Sequence, residues 1–299
     1  MSTENTNSAS VGSPRPSSSV TRRVTCWILF LFAWGLSNVA VIAGNRFYES
    51  RMLEAQYDVP AYVVRSFEER SVRVILAATN NQPFPLSYRY RPPPMFSKQH
   101  SVPLLVFLHG SGDRGSDNIQ QLRSAPAVLC RPEIQEDFSC AVLAPQCPEN
   151  HLWGRDDRYG ADVLDAVLVM LDDILKDSRL DPDRVYLTGY SMGSFGCWRL
   201  AARVPERFAA VLPIAGGGNP DWGPKLLEIP LWAVHGKDDE VVSEEASREM
   251  IDAIRDAGGS PNYSAIAGLG HGAWDEVFRA DSPYLAWLFQ QRLSQRSRE

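Results

Sequence analysis

The chain has 299 residues, 44% of them hydrophobic, with 36 acidic against 30 basic side chains and a formal net charge of -6. That length suits one large domain plus appendages, with ample apolar material for a core. No basic block is present, which excludes a nucleic-acid partner, and the five cysteines show no Cys/His spacing for zinc, so neither a metal nor a cofactor is expected.

Residues 1–21 are rich in Ser, Thr, Asn and Pro and too poor in large apolar groups to fold, so a disordered tail is expected there. Arg22 and Arg23 then precede an uncharged, mostly apolar run from Val24 to Gly44. About twenty residues at roughly 1.5 Å rise each just cross a bilayer core. Residues 22–44 therefore read as a transmembrane signal anchor or as a cleaved signal peptide with small residues near Ala43. The long preceding tail and the length of the run favour the anchor. Arg15, Arg22 and Arg23 before the run bias the tail to the cytoplasm and the remainder, residues 45–299, to the outside: anchored, or secreted if the run is cleaved.

From Tyr48 the composition turns globular. Tyr62–Arg65, Arg73–Ala78 and Leu86–Tyr90 read as short leading strands, antiparallel to one another, with Asn80-Asn81-Gln82-Pro83 as a turn. Pro103–Leu108 and Cys140–Ala144 are continuous apolar runs of strand length. Ile119–Val128 and Asp157–Lys176 read as helices; in the second, Val163, Val167, Met170, Leu171 and Ile174 share one face. Phe208–Ile214, Pro230–Val234 and Asn262–Ala267 are further strands, with helical segments at Ser243–Asp256 and Ser282–Gln290. Strands separated by long helical segments predict an α/β fold: a central, mostly parallel sheet with helices on both faces. Cys130, Cys140 and Cys147 are near enough in sequence for one disulfide, or are small buried thiols.

The strand-like Arg184–Thr188 runs into Gly189-Tyr190-Ser191-Met192-Gly193, and a helical segment follows, stopped by Pro205. A serine between two glycines in a strand-to-helix turn has the form of a nucleophile elbow: the turn leaves no room for side chains, and the new helix aims free N–H groups at whatever the serine attacks. A serine hydroxyl is a weak nucleophile and needs a base, an acid that orients the base, and oxyanion donors. His271, between Gly270 and Gly272 after the last strand, is the candidate base; His235, close to a strand end, is the structural one. Lys237-Asp238-Asp239-Glu240 offers three adjacent carboxylates after a strand, and spacing alone does not choose between Asp238 and Asp239. His109-Gly110-Ser111-Gly112-Asp113-Arg114-Gly115 is glycine-rich and lacks the lysine of a phosphate loop. It suits an oxyanion hole, with the N–H of Ser111 (Gly112 being the alternative) paired with that of Met192.

These segments together resemble the α/β-hydrolase superfamily, and more narrowly the bacterial esterase or "predicted peptidase" group near dienelactone hydrolase, feruloyl esterase and polyhydroxyalkanoate depolymerase. The resemblance covers about Leu86 to Phe289. It is carried by Leu108–Gly115, by Ala144-Pro145-Gln146-Cys147-Pro148 with Trp153, by Asp183–Gly193, by Val204–Ala210, by His235–Val242 and by Gly270–Trp274. It implies Asp239 as the acid, because the family places its acid four residues after the histidine. Ser194 departs from the pattern where many relatives have glycine, and Glu240 where proline is common. The resemblance implies a serine hydrolase of small-molecule carboxylic esters, working through Ser191, His271 and Asp239 without a cofactor. A serine peptidase of the same fold and a non-catalytic binding protein are the alternatives. Membrane attachment through the N-terminal run is the other expected interaction.

Overall fold

A computed structural model describes residues 49–75, 83–93, 101–153 and 163–296. The N-terminal tail, the run Val24–Gly44, the turn residues 80–82 and the first part of the expected Asp157–Lys176 helix lie outside the described residues. The chain divides into two compact units, Met1–Met52 and Leu53–Glu299. Of the first unit only residues 49–52 are described, and they are helical. Among the described residues, no helix is long and apolar enough to cross a membrane.

The second unit is built on an eight-stranded sheet. Its strands are β1 (Glu68–Ile75), β2 (Pro83–Arg91), β3 (Val102–Leu108), β4 (Ala141–Pro145), β5 (Leu180–Tyr190), β6 (Ala210–Ile214), β7 (Trp232–Gly236) and β8 (Asn262–Ile266). Their order in space is β1-β2-β4-β3-β5-β6-β7-β8. β1 and β2 pair antiparallel, as do β2 and β4; every later pairing is parallel. β3 explains why the sheet needs helices on both faces. All seven of its residues are buried. Alternation along the strand sends Leu104, Val106 and Leu108 into one apolar cluster, and Leu105 and Phe107 into the other. The helices Val163–Ile174, Met192–Arg203 and Glu245–Asp256 contribute to the first cluster, and Ala125–Leu129 and Pro283–Leu288 to the second.

Two sequence expectations are corrected. Tyr62–Arg65 is no strand but lies in a helix, Ala61–Ser66. The β-branched pair Val63-Val64 suggested extended chain, yet both N–H groups turn back to the Pro60 carbonyl, at 2.9 and 3.4 Å, and close a helical turn that buries Ala61 and Val63. Ile119–Val128 is not one helix either: a 3₁₀ turn at Gln120–Leu122 is followed by the short helix Ala125–Leu129. Pro126 has no N–H for the preceding turn, and its ring excludes helix before it. The other strand edges move by a few residues; of the expected Arg73–Ala78, residues 73–75 are the later part of a strand that already begins at Glu68, and residues 76–78 lie outside the described residues.

The register sets where function gathers. Leu108 lies beside Gly189, Tyr190 beside Ile214, and Gly236 beside Ile266. Parallel strands in this register end together, so the loops after β3, β5, β6, β7 and β8 all leave from one edge of the sheet, where α/β sheets place their sites.

Candidate active site

The turn from β5 into the helix Met192–Arg203 is as tight as two backbones allow. A Cβ on Gly193 would sit 1.8 Å from the Leu108 carbonyl oxygen, and one on Gly189 would meet the Gly193 carbonyl at 2.7 Å. Gly193→Ala is therefore expected to cost more than about 3 kcal/mol of stability, since backbone rather than a flexible side chain must move. Thermal unfolding followed by circular dichroism checks this; an unchanged melting curve would refute so close an approach. Between these glycines Ser191 takes φ 54° and ψ -118°, a conformation that side chains rarely adopt. It is held there by its own N–H on the Ile214 carbonyl at 2.9 Å and by the Ser194 N–H on its carbonyl at 2.9 Å.

The structure brings Ser191, His271 and Asp239 into one hydrogen-bonded chain. Ser191 Oγ lies 3.0 Å from His271 Nε2. His271 Nδ1 lies 2.7 Å from Asp239 Oδ2. His271 packs on the Tyr190 ring at 4.9 Å between centroids, and burial pushes the Tyr190 phenol up to about 12, so a neutral ring faces the imidazole. Asp239 Oδ1 accepts the N–H groups of Val241 at 2.8 Å and Val242 at 3.0 Å. Burial opposes ionisation of Asp239, but the His271 hydrogen bond and these two N–H groups outweigh it, and its carboxyl lies below the ordinary carboxylate range. Asp238 is exposed and does other work: its Oδ2 accepts the Gly268 N–H at 2.8 Å.

Ser111 opens a 3₁₀ turn, Ser111–Asp113, and Met192 opens the helix after the serine. The first N–H of such a turn has no acceptor within it, so both are available to an anion. The Ser111 loop is fixed by groups that the sequence pattern displayed without explaining. His109 is fully buried; its Nδ1–H donates to the Gly110 carbonyl at 2.6 Å and its Nε2 accepts the Cys147 N–H at 2.9 Å. Burial drops its pKa to about 4, so it holds the loop as a neutral ring. Trp153 Nε1 donates to the His109 carbonyl at 3.0 Å, and Gln146 Nε2 to that of Asp113 at 3.2 Å. Asp113 is also ion-paired to Arg123. The Ala144–Trp153 segment thus acts as a splint for the loop after β3. The usable signal was a histidine at a strand end followed by a polar residue after the neighbouring strand.

Above the serine lies a cavity of about 630 Å³. Its walls include Leu152, Trp153, Phe195, Trp222, Val241 and Val242, with Ser111, Ser191 and Met192 at the base; among the described residues, no charged side chain lines it. A larger surface groove of about 720 Å³, near Pro182 and Asp183 at the other end of β5, contains none of these residues. Cys130, Cys140, Cys147 and Cys197 form no disulfide among the described residues. No metal-binding cluster occurs among the described residues.

A parallel sheet whose central turn carries a serine bonded to a histidine from its last loop defines a hydrolase-type α/β fold. Residues 105–297 match the family model described as Alpha/beta hydrolase family, and the chain belongs to that family. Over 225 residues it is 25% identical to a protein of Oryza sativa subsp. japonica described as a probable carboxylesterase, covering 67% of this chain and 84% of that one. It is 26% identical over 155 residues to a bifunctional acetylxylan esterase/xylanase of Neocallimastix patriciarum, covering 52% of this chain and 22% of that protein. Among solved structures it is similar to a thermostable esterase, with 32% identity and a TM-score of 0.68, covering 77% of this chain and 64% of the other. It therefore spans well under two thirds of the esterase/xylanase and slightly under two thirds of the thermostable esterase. Each of these three relatives is described as an esterase.

Proposed function

We propose that the protein is a serine hydrolase of uncharged carboxylic esters. The observation that carries this reading is the hydrogen-bonded chain from Ser191 through His271 to Asp239 at the floor of an apolar cavity. Ser191 Oγ attacks the acyl carbon while His271 Nε2 takes its proton. The tetrahedral oxyanion accepts hydrogen bonds from the Ser111 and Met192 N–H groups. His271 then gives the proton to the leaving alcohol, which departs and leaves an acyl-enzyme; water, deprotonated by the same ring, releases the acid. Asp239 keeps the Nδ1–H tautomer and stabilises the imidazolium.

The cavity supports a choice of substrate charge. An anionic acyl group would lose water to walls of Trp153, Phe195, Trp222 and Val242 without a cationic partner among the described residues. Turnover of 4-nitrophenyl butyrate is expected to exceed that of the 4-nitrophenyl monoester of succinic acid by at least about tenfold in kcat/KM. Equal values for the two esters would sink this assignment of the pocket.

Residues 45–299 are proposed as the catalytic domain, placed outside the cytoplasm by the apolar run Val24–Gly44 and preceded by a tail over residues 1–21. An intact-mass measurement of the mature protein separates a retained anchor from a cleaved signal.

A further inference from the structure

Asp239 has a second histidine behind it. His235, within β7, is fully buried. Its Nε2 lies 3.2 Å from Asp239 Oδ2, the same oxygen that His271 bonds, and 3.0 Å from the Val242 carbonyl oxygen. Its Nδ1 lies 2.7 Å from Ser247 Oγ. Ser247 Oγ in turn lies 2.5 Å from the Gly216 carbonyl oxygen.

The groups around the ring can be sorted by whether they donate or accept. A carbonyl only accepts, so the single Ser247 hydroxyl proton is directed at Gly216, and the Ser247 oxygen presents a lone pair to His235 Nδ1. The Val242 carbonyl and the Asp239 carboxylate opposite Nε2 also only accept. Both ring nitrogens thus face acceptors, and only the imidazolium carries two N–H donors. A neutral ring, in either tautomer, would set one lone pair against another in a site closed to water.

We propose that His235 is a positioning residue held as an imidazolium: it anchors the Asp239 carboxylate from behind and weakens the hold of that carboxylate on a proton at His271. The proposal rests on the reading of His271 as the base. A lone carboxylate would favour protonated His271 and keep the base occupied at higher pH. With His235 charged, the Asp239–His235 pair is close to neutral, so His271 releases its proton at lower pH and stays ready for that of Ser191. The groups facing His235 are Asp239 and the Ser247 hydroxyl from the helix Glu245–Asp256. Those facing His271 are Asp239, Ser191 and the neutral Tyr190 ring, with Asp275 and Asp113 acting on that ring from beyond.

Two measurements on the full chain test this. In the first, nitrogen-15 spectra of histidine-labelled protein are recorded from roughly pH 6 to 8, where imidazoles ordinarily titrate; the signals of His235 are those lost in His235→Gln, or displaced in Ser247→Ala should that variant not fold. Both ring nitrogens are expected to remain protonated throughout, and a single-donor ring at neutral pH overturns the proposal. In the second, the rate of fluorophosphonate labelling of Ser191 is followed against pH. His235→Gln is expected to move the acid limb up by about one pH unit, and Ser247→Ala to move it the same way by less. A variant that melts earlier but keeps its acid limb in place would show a merely structural role. The spectra do not depend on any ester being turned over, so failure of the unmodified protein to label would count against Ser191 while His235 is judged separately.

Discussion

Replacing Ser191 by alanine is expected to reduce hydrolysis of 4-nitrophenyl acetate by at least about 10,000-fold and to abolish fluorophosphonate labelling. The fold should survive. The hydroxyl makes no cap to the helix that follows, and its partner in the site is His271. Alanine keeps the Cβ, so the unusual backbone at this position is neither relieved nor worsened. The melting temperature should move by no more than about 2 °C. Residual turnover near that of the unmodified protein would remove Ser191 from the mechanism. Loss of both activity and the folded state would leave the hydroxyl with a structural part that its contacts do not suggest.

Asp239→Asn is expected to lower kcat by about 10,000-fold, an effect of proton placement rather than of packing. The Val241 and Val242 N–H groups require an acceptor at Oδ1, so the amide oxygen takes that place. The amide nitrogen then faces His271 Nδ1 and donates to it. That selects the imidazole tautomer whose proton is on Nε2, which points at Ser191 and cannot receive another. Asp238→Asn, made alongside, should cost less than about threefold, because an amide oxygen can still accept the Gly268 N–H on an exposed loop. Loss of turnover in the Asp238 variant alone would reverse the assignment of the acid.

Much of this molecule is written in short-range pattern. β3 and β4 are legible because strands buried on both faces must be continuously apolar, as Leu104–Leu108 and Ala141–Ala144 are. The elbow is legible because only glycine fits where the helix meets the Leu108 carbonyl. What failed depends on what lies opposite in space. Val63 and Val64 favour strand locally, but the burial of Ala61 and Val63 is met by partners elsewhere in the chain, and the segment is a helix. Pro126 broke a helix that apolar spacing alone suggested. Among Asp238, Asp239 and Glu240 no local rule separates the neighbours; the turn after Gly236 decides which carboxylate reaches His271. His235 reads as a strand residue until Ser247 and Gly216, both distant in sequence, are seen around its ring. The cavity wall joins Leu152, Phe195, Trp222 and Val241 from four separate loops and helices, so no single stretch announces it.

The backbone at Ser191 has one more consequence. A non-glycine residue in such a conformation costs on the order of 1–3 kcal/mol, and here the price is met once, when β5 and the following helix dock around it. Substrate binding then has little left to rearrange at the nucleophile. In the proposed reaction, each catalytic cycle starts from a hydroxyl already oriented by folding, so an energy held in the native state lowers the reorganisation asked of every ester that enters.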